Sequence, residues 1–414
     1  MKHYLILLLL LPMVLAAKVY TLDELIEHGI ENSYQIQKEE LSNQSGHSSF
    51  RSAKWNLLPN ANLSTGLTQD LDPISPQSGL SSFAGFEISK NISLNDPAYF
   101  NYRFARLDRS RADLTLQKGY STYVYQVFQA YIKALSATKK MSSLQENIAI
   151  QNRVWEQSKV MLRLGKTVPF EVKQNEIAVM NSQISLIQLE NIIENARMQL
   201  FALVQMSDLG YPLAELEVDT EKDIPSFSTE NMLELKILQR ELERNDIFMT
   251  QNFLENFPTV SLGYGFSRRV NGADFDFDKY STVHSLNLNL SYSLWNVFTN
   301  RESGLRYKIN KQMAQLNFDD KAEQSKREYD IALNELQYLL RLDELYSERL
   351  LQATEQIRIA EERYRLGMIQ LLELDRTRTN YIDADIEYNA NRYEIIQKQE
   401  ALNYLLSQQI LGKW

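Results

Sequence analysis

The places where this sequence could carry chemistry are few, and each fails on spacing or context. The histidines are His3, His28, His47 and His284, and they do not stand at metal-ligand spacing. Cysteine is absent, which removes a disulfide framework, a thiolate metal site and a thiol nucleophile. Gly263-Tyr-Gly265 lies in an alternating segment with no third glycine and no following helix, so it is not a phosphate cradle. Asp274-Phe-Asp-Phe-Asp278 offers three carboxylates but lacks the Gly and closing Glu of a helix-loop-helix calcium site, and a solvated loop is the simpler reading. No nucleophile elbow or phosphate-binding loop occurs. The expectation is a protein that is not an enzyme and carries no cofactor or metal.

What the sequence does carry is a repeat. Arg163-Leu164-Gly165 returns as Arg365-Leu366-Gly367, 202 residues on. Leu58-Pro59 returns as Phe257-Pro258 at an offset of 199, and Ser93-Leu94-Asn95-Asp96 as Ser293-Leu294-Trp295-Asn296 at 200. A tandem duplication of about 200 residues therefore sets the organisation. The expected parts are a leader over 1–17, repeat one over 18–206, a linker over 207–230 and repeat two over 231–414.

Lys2, the apolar run Leu5 to Leu11 and the small residues near Ala16-Ala17 have the pattern of a secretory signal peptide, too short to span a membrane. No later stretch is apolar enough for a transmembrane helix, so an exported chain is expected. The 44 basic and 53 acidic residues are interspersed, for a net charge of −9, and no basic patch points to nucleic acid.

Glycine and proline are concentrated outside long uninterrupted runs. Leu305 to Leu366 contains neither over 62 residues. Ala98 to Leu164 contains Gly119 and no proline. Helices of that length, about 93 Å for 62 residues at ~1.5 Å each, imply coiled coils rather than a globular core. A seven-residue apolar period supports this: Tyr120, Val127, Ala134, Met141, Ile148, Trp155 and Leu162 in one run, and Tyr346, Leu350, Ala353, Ile357, Ala360 and Tyr364 in the other. Gly165 and Gly367 break each run once as helix-terminating residues, so each repeat should contain an antiparallel helical hairpin with a tight tip. Pro169 suits the first turn of the helix that follows.

Between the helices the period changes to two. Val260, Leu262, Tyr264 and Phe266 alternate with small polar residues, as do Leu286, Leu288, Leu290, Tyr292 and Leu294. Repeat one has weaker versions around Leu63 and Leu67 and over Phe86 to Leu94, where Lys90 interrupts the apolar side. Such segments are strands with one apolar and one small polar face, each about the length of a tilted membrane-spanning strand. Four strands are too few for a barrel, because small closed barrels start at about eight. If they span a membrane, copies of the chain must share the wall. The acidic linker run Glu215 to Asp223 reads most simply as solvated.

The order helix, strand, strand, long helix, tip, helix in each half, with the two Arg-Leu-Gly tips, resembles the TolC family of outer-membrane efflux and secretion channels over essentially the whole mature chain. The resemblance implies a mainly α protein with membrane β: a long antiparallel coiled-coil helical barrel, the periplasmic tunnel, continuous with a transmembrane β-barrel shared by a homotrimer, four strands per chain. It implies a passive exit duct of a tripartite efflux or type I secretion system in the outer membrane. A periplasmic adaptor, a proton-driven or ATP-driven inner-membrane pump and outer-membrane lipid would be its partners, and nucleic acid would not. By the same resemblance Glu171, Tyr364 and Glu373 fall at gate positions, with Asp375 and Arg376 where the family has a further acidic residue, and Ile369 stands where it has a basic one. The tips Arg163-Leu164-Gly165 and Arg365-Leu366-Gly367 correspond to the adaptor-docking surface. Read as residues alone, Glu171 and Glu373 also suit solvated helix N-termini, and Arg-Leu-Gly also suits a plain turn. The rival functional reading is a soluble periplasmic coiled-coil adaptor or scaffold.

Overall fold

The computed structural model describes residues 18–69, 80–217, 219, 223–271 and 281–413. The expected leader and the Asp274–Asp278 loop lie outside them. Repeat one runs α1 (Leu22–Asn32), α2 (Tyr34–Trp55), β1 (Asn60–Gln69), β2 (Leu80–Ile92), α3 (Pro97–Arg163) and α4 (Pro169–Leu203). Repeat two runs α5 (Leu233–Leu254), β3 (Thr259–Asn271), β4 (Ser281–Ser291), α6 (Asn296–Arg365) and α7 (Leu371–Leu405), before a short 3-10 turn at Ile410–Gly412. The two long helices have 67 and 70 residues. Among the described residues no helix is long and apolar enough to cross a membrane.

Residue contacts group the chain into two compact units. One holds α1, α4, α7 and the parts of α3 and α6 beyond Gly119 and Ser325. Its main core packs Tyr123, Val127, Phe128 and Tyr131 of α3 against Leu25 and Ile26 of α1 and Leu200 of α4, all nearly inaccessible. A second cluster joins Leu336 and Leu339 of α6 to Ile395 and Leu402 of α7. The expected seam is present where Val127 and Ala134 are fully buried and Ala353 and Ala360 nearly so. Alternate small residues let the paired helices approach closely.

The linker is tied down rather than merely solvated. Tyr20 forms an isolated parallel bridge with Leu213, through Tyr20 N–H to Pro212 O at 2.9 Å and Ala214 N–H to Tyr20 O at 2.9 Å. The Tyr131 hydroxyl donates to Ala214 O at 2.6 Å and lies 3.1 Å from Tyr20 O. Glu215 pairs with Lys139 at 3.2 Å, and Gln399 donates to Asp219 O at 2.8 Å. Glu215, Glu217 and Asp219 are exposed, as a solvated run would be, while the backbone beside them finds partners because polar groups next to a core must.

The other unit holds the strands, α5, α2 from Lys38 onward and the parts of α3 and α6 up to Gly119 and Ser325. The strands form one antiparallel sheet in the order β1-β2-β3-β4. Its register aligns the apolar residues into rows on one face: Ala61, Ile88, Tyr264 and Leu286 in one, Ile92, Val260 and Leu290 in another. The opposite face carries rows such as Asn60, Ser89, Gly263 and Asn287. The alternation read from sequence thus becomes one apolar and one small polar surface. Lys90, which falls on the apolar side, turns its ammonium to Leu57 O at 3.1 Å and Asp96 at 3.2 Å at the helix end of the sheet, as a long cationic side chain does at an apolar boundary. Leu94, Tyr292 and Leu294, expected within strands, lie past β2 and β4, in the short connections that lead into α3 and α6.

Candidate functional site

The two tips are built alike. After α3, Gly165 takes φ +68°, and after α6, Gly367 takes φ +72°. At the first tip Lys166 N–H reaches Met161 O at 2.9 Å and Gly165 N–H reaches Leu162 O at 3.0 Å. At the second, Met368 N–H reaches Arg363 O at 2.8 Å and Gly367 N–H reaches Tyr364 O at 2.9 Å. Each is a paired six-to-one and five-to-two helix termination, which needs a left-handed residue that glycine adopts without a Cβ penalty. The turns push Leu164 and Leu366 outward, at 62% and 64% exposure. Arg163 is exposed, and Arg365 pairs locally with Glu362 at 2.7 Å. The product is a rigid hairpin end that offers a leucine beside a guanidinium.

The acidic residues six positions after each glycine occupy the same place. Glu171 is the third residue of α4 and Glu373 the third of α7, and both are exposed. Each sits in the first turn of its helix, where the macrodipole favours negative charge. The Glu171 carboxylate also accepts from the Thr167 hydroxyl. Tyr364 is exposed, and its hydroxyl has no partner among the described residues. Arg376 is likewise exposed.

Asp375 differs from its neighbours. Its side chain is completely buried and its Oδ1 lies 3.3 Å from Nη2 of Arg153 on α3, while Oδ2 has no partner among the described residues. Both residues lie in the same compact unit. Asp375 and Arg376 line a cavity of ≈ 660 Å³ together with Gln157, Lys166, Thr167 and Glu171. Gln157 Oε1 is also buried without a partner among the described residues. The cavity therefore brings residues that follow one tip beside residues that follow the other. Sequence reasoning named Asp375 but missed Arg153 and Gln157. Nothing in a linear pattern connects positions 222 residues apart, and Arg153 lies off the heptad seam.

Residues 251–408 match the family model for outer membrane efflux proteins. The match lies in the second half of the chain. Solved structures extend the fold over nearly the whole chain. A membrane protein from Pseudomonas aeruginosa is 14% identical, with 95% of this chain and 91% of that one covered at a TM-score of 0.81. The Campylobacter jejuni CmeC outer membrane channel is 15% identical, with 93% and 85% covered at 0.75. The outer membrane protein VceC from Vibrio cholerae is 13% identical, with 94% and 96% covered at 0.78. No curated protein sequence matches the chain. The fold expected from the TolC resemblance is therefore the fold of this chain, and solved structures that share it include outer membrane channels.

Proposed function

We propose that the chain is the outer-membrane exit duct of a tripartite efflux or type I secretion system, reaching from the outer membrane into the periplasm. One observation carries this reading beyond the family match. The apolar face of the four-stranded sheet is uncovered, with Leu63 at 86% exposure and Leu286, Leu288 and Leu290 at 74%, 75% and 68%. A row of bare leucines suits hydrocarbon and not water. The sheet ends in β1 and β4, whose outer edges are unpaired among the described residues. In lipid each unpaired backbone group costs several kcal/mol, so the edges must be closed by other copies. Three copies give twelve strands, enough for a barrel with a water-filled interior lined by the small polar face.

The two tandem repeats, 18–206 and 231–414, would alternate around that wall. The hairpin tips Arg163-Leu164-Gly165 and Arg365-Leu366-Gly367 are the surface for a periplasmic adaptor and, through it, the inner-membrane pump. Glu171, Tyr364, Glu373 and Arg376 would form the constriction. The Arg153–Asp375 pair would hold α3 against α7 in the closed state. A partner that binds the open state better shifts the population toward it.

Fractionation tests the reading. The protein should require detergent and migrate as an oligomer on unheated gels. Release as a folded monomer in osmotic-shock fluid would instead identify a soluble periplasmic scaffold and end the proposal.

A further inference from the structure

We propose that an anionic phospholipid headgroup binds at Arg103, Arg106 and Tyr102, in the cavity between α3 and α5 just below the sheet. The inference rests on the reading of the sheet as membrane-spanning. The cavity, ≈ 550 Å³ in volume, is lined by Tyr99, Tyr102, Arg103 and Arg106 of α3 and Arg240, Glu243 and Asp246 of α5.

The charge of that cavity does not balance. Glu243 is taken by Arg240 at 2.5 Å, and Asp246 by Lys311 at 2.6 Å. Farther along α3, Arg111 pairs with Glu241 at 3.3 Å and Asp108 with Arg244 at 2.6 Å. Arg103 and Arg106 have no carboxylate partner among the described residues; Arg103 only lies 6.0 Å from the Tyr99 and Phe100 ring centres. Two guanidinium groups one helical turn apart are thus left for an anion, and their planar forks suit the paired oxygens of a phosphodiester. Tyr102, stacked on Phe50 with ring centres 5.6 Å apart, holds its ring in place beside them. Its hydroxyl has no protein partner among the described residues and is a third donor.

The source of the anion follows from depth. Pro97 opens α3 five residues after the end of β2. Arg103 and Arg106 lie six and nine residues into the helix, about 9 and 13 Å along its axis at ~1.5 Å per residue. Helical side chains lean toward the helix N-terminus, which here is the sheet end, so both guanidinium groups reach back toward the membrane surface. The same end of the sheet carries the exposed aromatics Trp55, Tyr99, Trp295 and Phe298, at 71%, 48%, 77% and 66% exposure. Amphipathic aromatics collect at the membrane–water boundary. A cavity at that boundary with two unpaired arginines selects an anionic headgroup over a zwitterionic one.

The test uses the full-length oligomer in detergent, titrated with phosphatidylglycerol or phosphatidylcholine and read by native mass spectrometry of bound lipid. Phosphatidylglycerol should be favoured, with about a fivefold loss of its binding for each arginine removed. Arg106→Gln, an exposed position that folding tolerates, should show the single step, and Arg103→Gln with Arg106→Gln should bring the two lipids level. Arg358→Gln, on an exposed helix surface, should change nothing. Wild-type phosphatidylglycerol binding in either cavity variant would overturn the site. Full displacement by inorganic phosphate at a tenfold excess over lipid would overturn the lipid assignment in favour of a free-anion site. Failure of any of these in a protein that still needs detergent leaves the duct reading intact.

Discussion

Arg153 on α3 and Asp375 on α7 are joined at 3.3 Å across 222 residues of sequence, and the second Asp375 oxygen is buried with no partner among the described residues. The pair is asymmetric, because the arginine is half exposed and the carboxylate is not exposed at all. Removing the arginine therefore strands a buried charge, whereas neutralising the aspartate does not. Arg153→Gln should destabilise the tip region by about 1–3 kcal/mol, the cost of leaving a buried polar group unpaired. Asp375→Asn should cost less. Denaturant unfolding of the two variants checks the order, and equal losses would refute it.

The gate assignment predicts electrical behaviour. In planar bilayers, Tyr364→Ala with Glu373→Gln should raise single-channel conductance above that of the unmodified protein, and Asp375→Asn should raise it as well by freeing α7 from α3. Unchanged conductance in the first variant would remove Tyr364 and Glu373 from the constriction.

The tip glycines should resist substitution. Gly165 and Gly367 have φ of +68° and +72°, with open space where a Cβ would stand. The cost of Gly165→Ala is therefore conformational and not steric crowding, about 1–2 kcal/mol for a left-handed L-residue. Faster hydrogen exchange at Lys166, whose N–H closes the turn onto Met161 O, would register it. Gly165→Asn should cost less than Gly165→Ala, because asparagine tolerates the left-handed region.

The linker clamp should depend on one hydroxyl. Tyr131 donates to Ala214 O, and burial raises the phenol well above its ordinary pKa, so it stays a donor across the physiological range. Tyr131→Phe leaves the Ala214 carbonyl without that donor, while Tyr20 O keeps the Ala214 N–H, and should cost about 1–3 kcal/mol. Faster proteolysis within 207–230 would report the loss.

A pH effect follows from Arg197 and Asp208. The Arg197 hydrogen bonds, with help from the Gly210 N–H and the Arg197 charge, outweigh partial burial and hold the Asp208 carboxyl below its ordinary range. A depressed carboxylate contributes stability above its unfolded pKa, about 3.9, and loses it as pH falls through the lower folded value. Unfolding measured from pH 5 downward should therefore show a smaller acid-induced loss in Asp208→Asn than in the unmodified protein. Identical slopes would refute the contribution.

The sequence by itself determined the periodic features. Gly165 and Gly367 marked both tips, because a left-handed helix end is a property of one residue and its neighbours. The alternation from Val260 to Phe266 and from Leu286 to Leu290 marked β3, β4 and their faces, because side-chain direction in a strand depends only on parity. Three placements failed at element ends. Leu94, Tyr292 and Leu294 continue the alternation, yet lie past the strands, since apolar parity does not say where backbone pairing stops. Only the tertiary structure decided what depends on long-range proximity: that Arg153 meets Asp375, that Tyr131 holds the linker through Ala214, and that among the described residues Arg103 and Arg106 are left without carboxylates while their neighbours are paired. Such contacts are set by how helices pack, and no local pattern in the chain records which charges the packing will bring together.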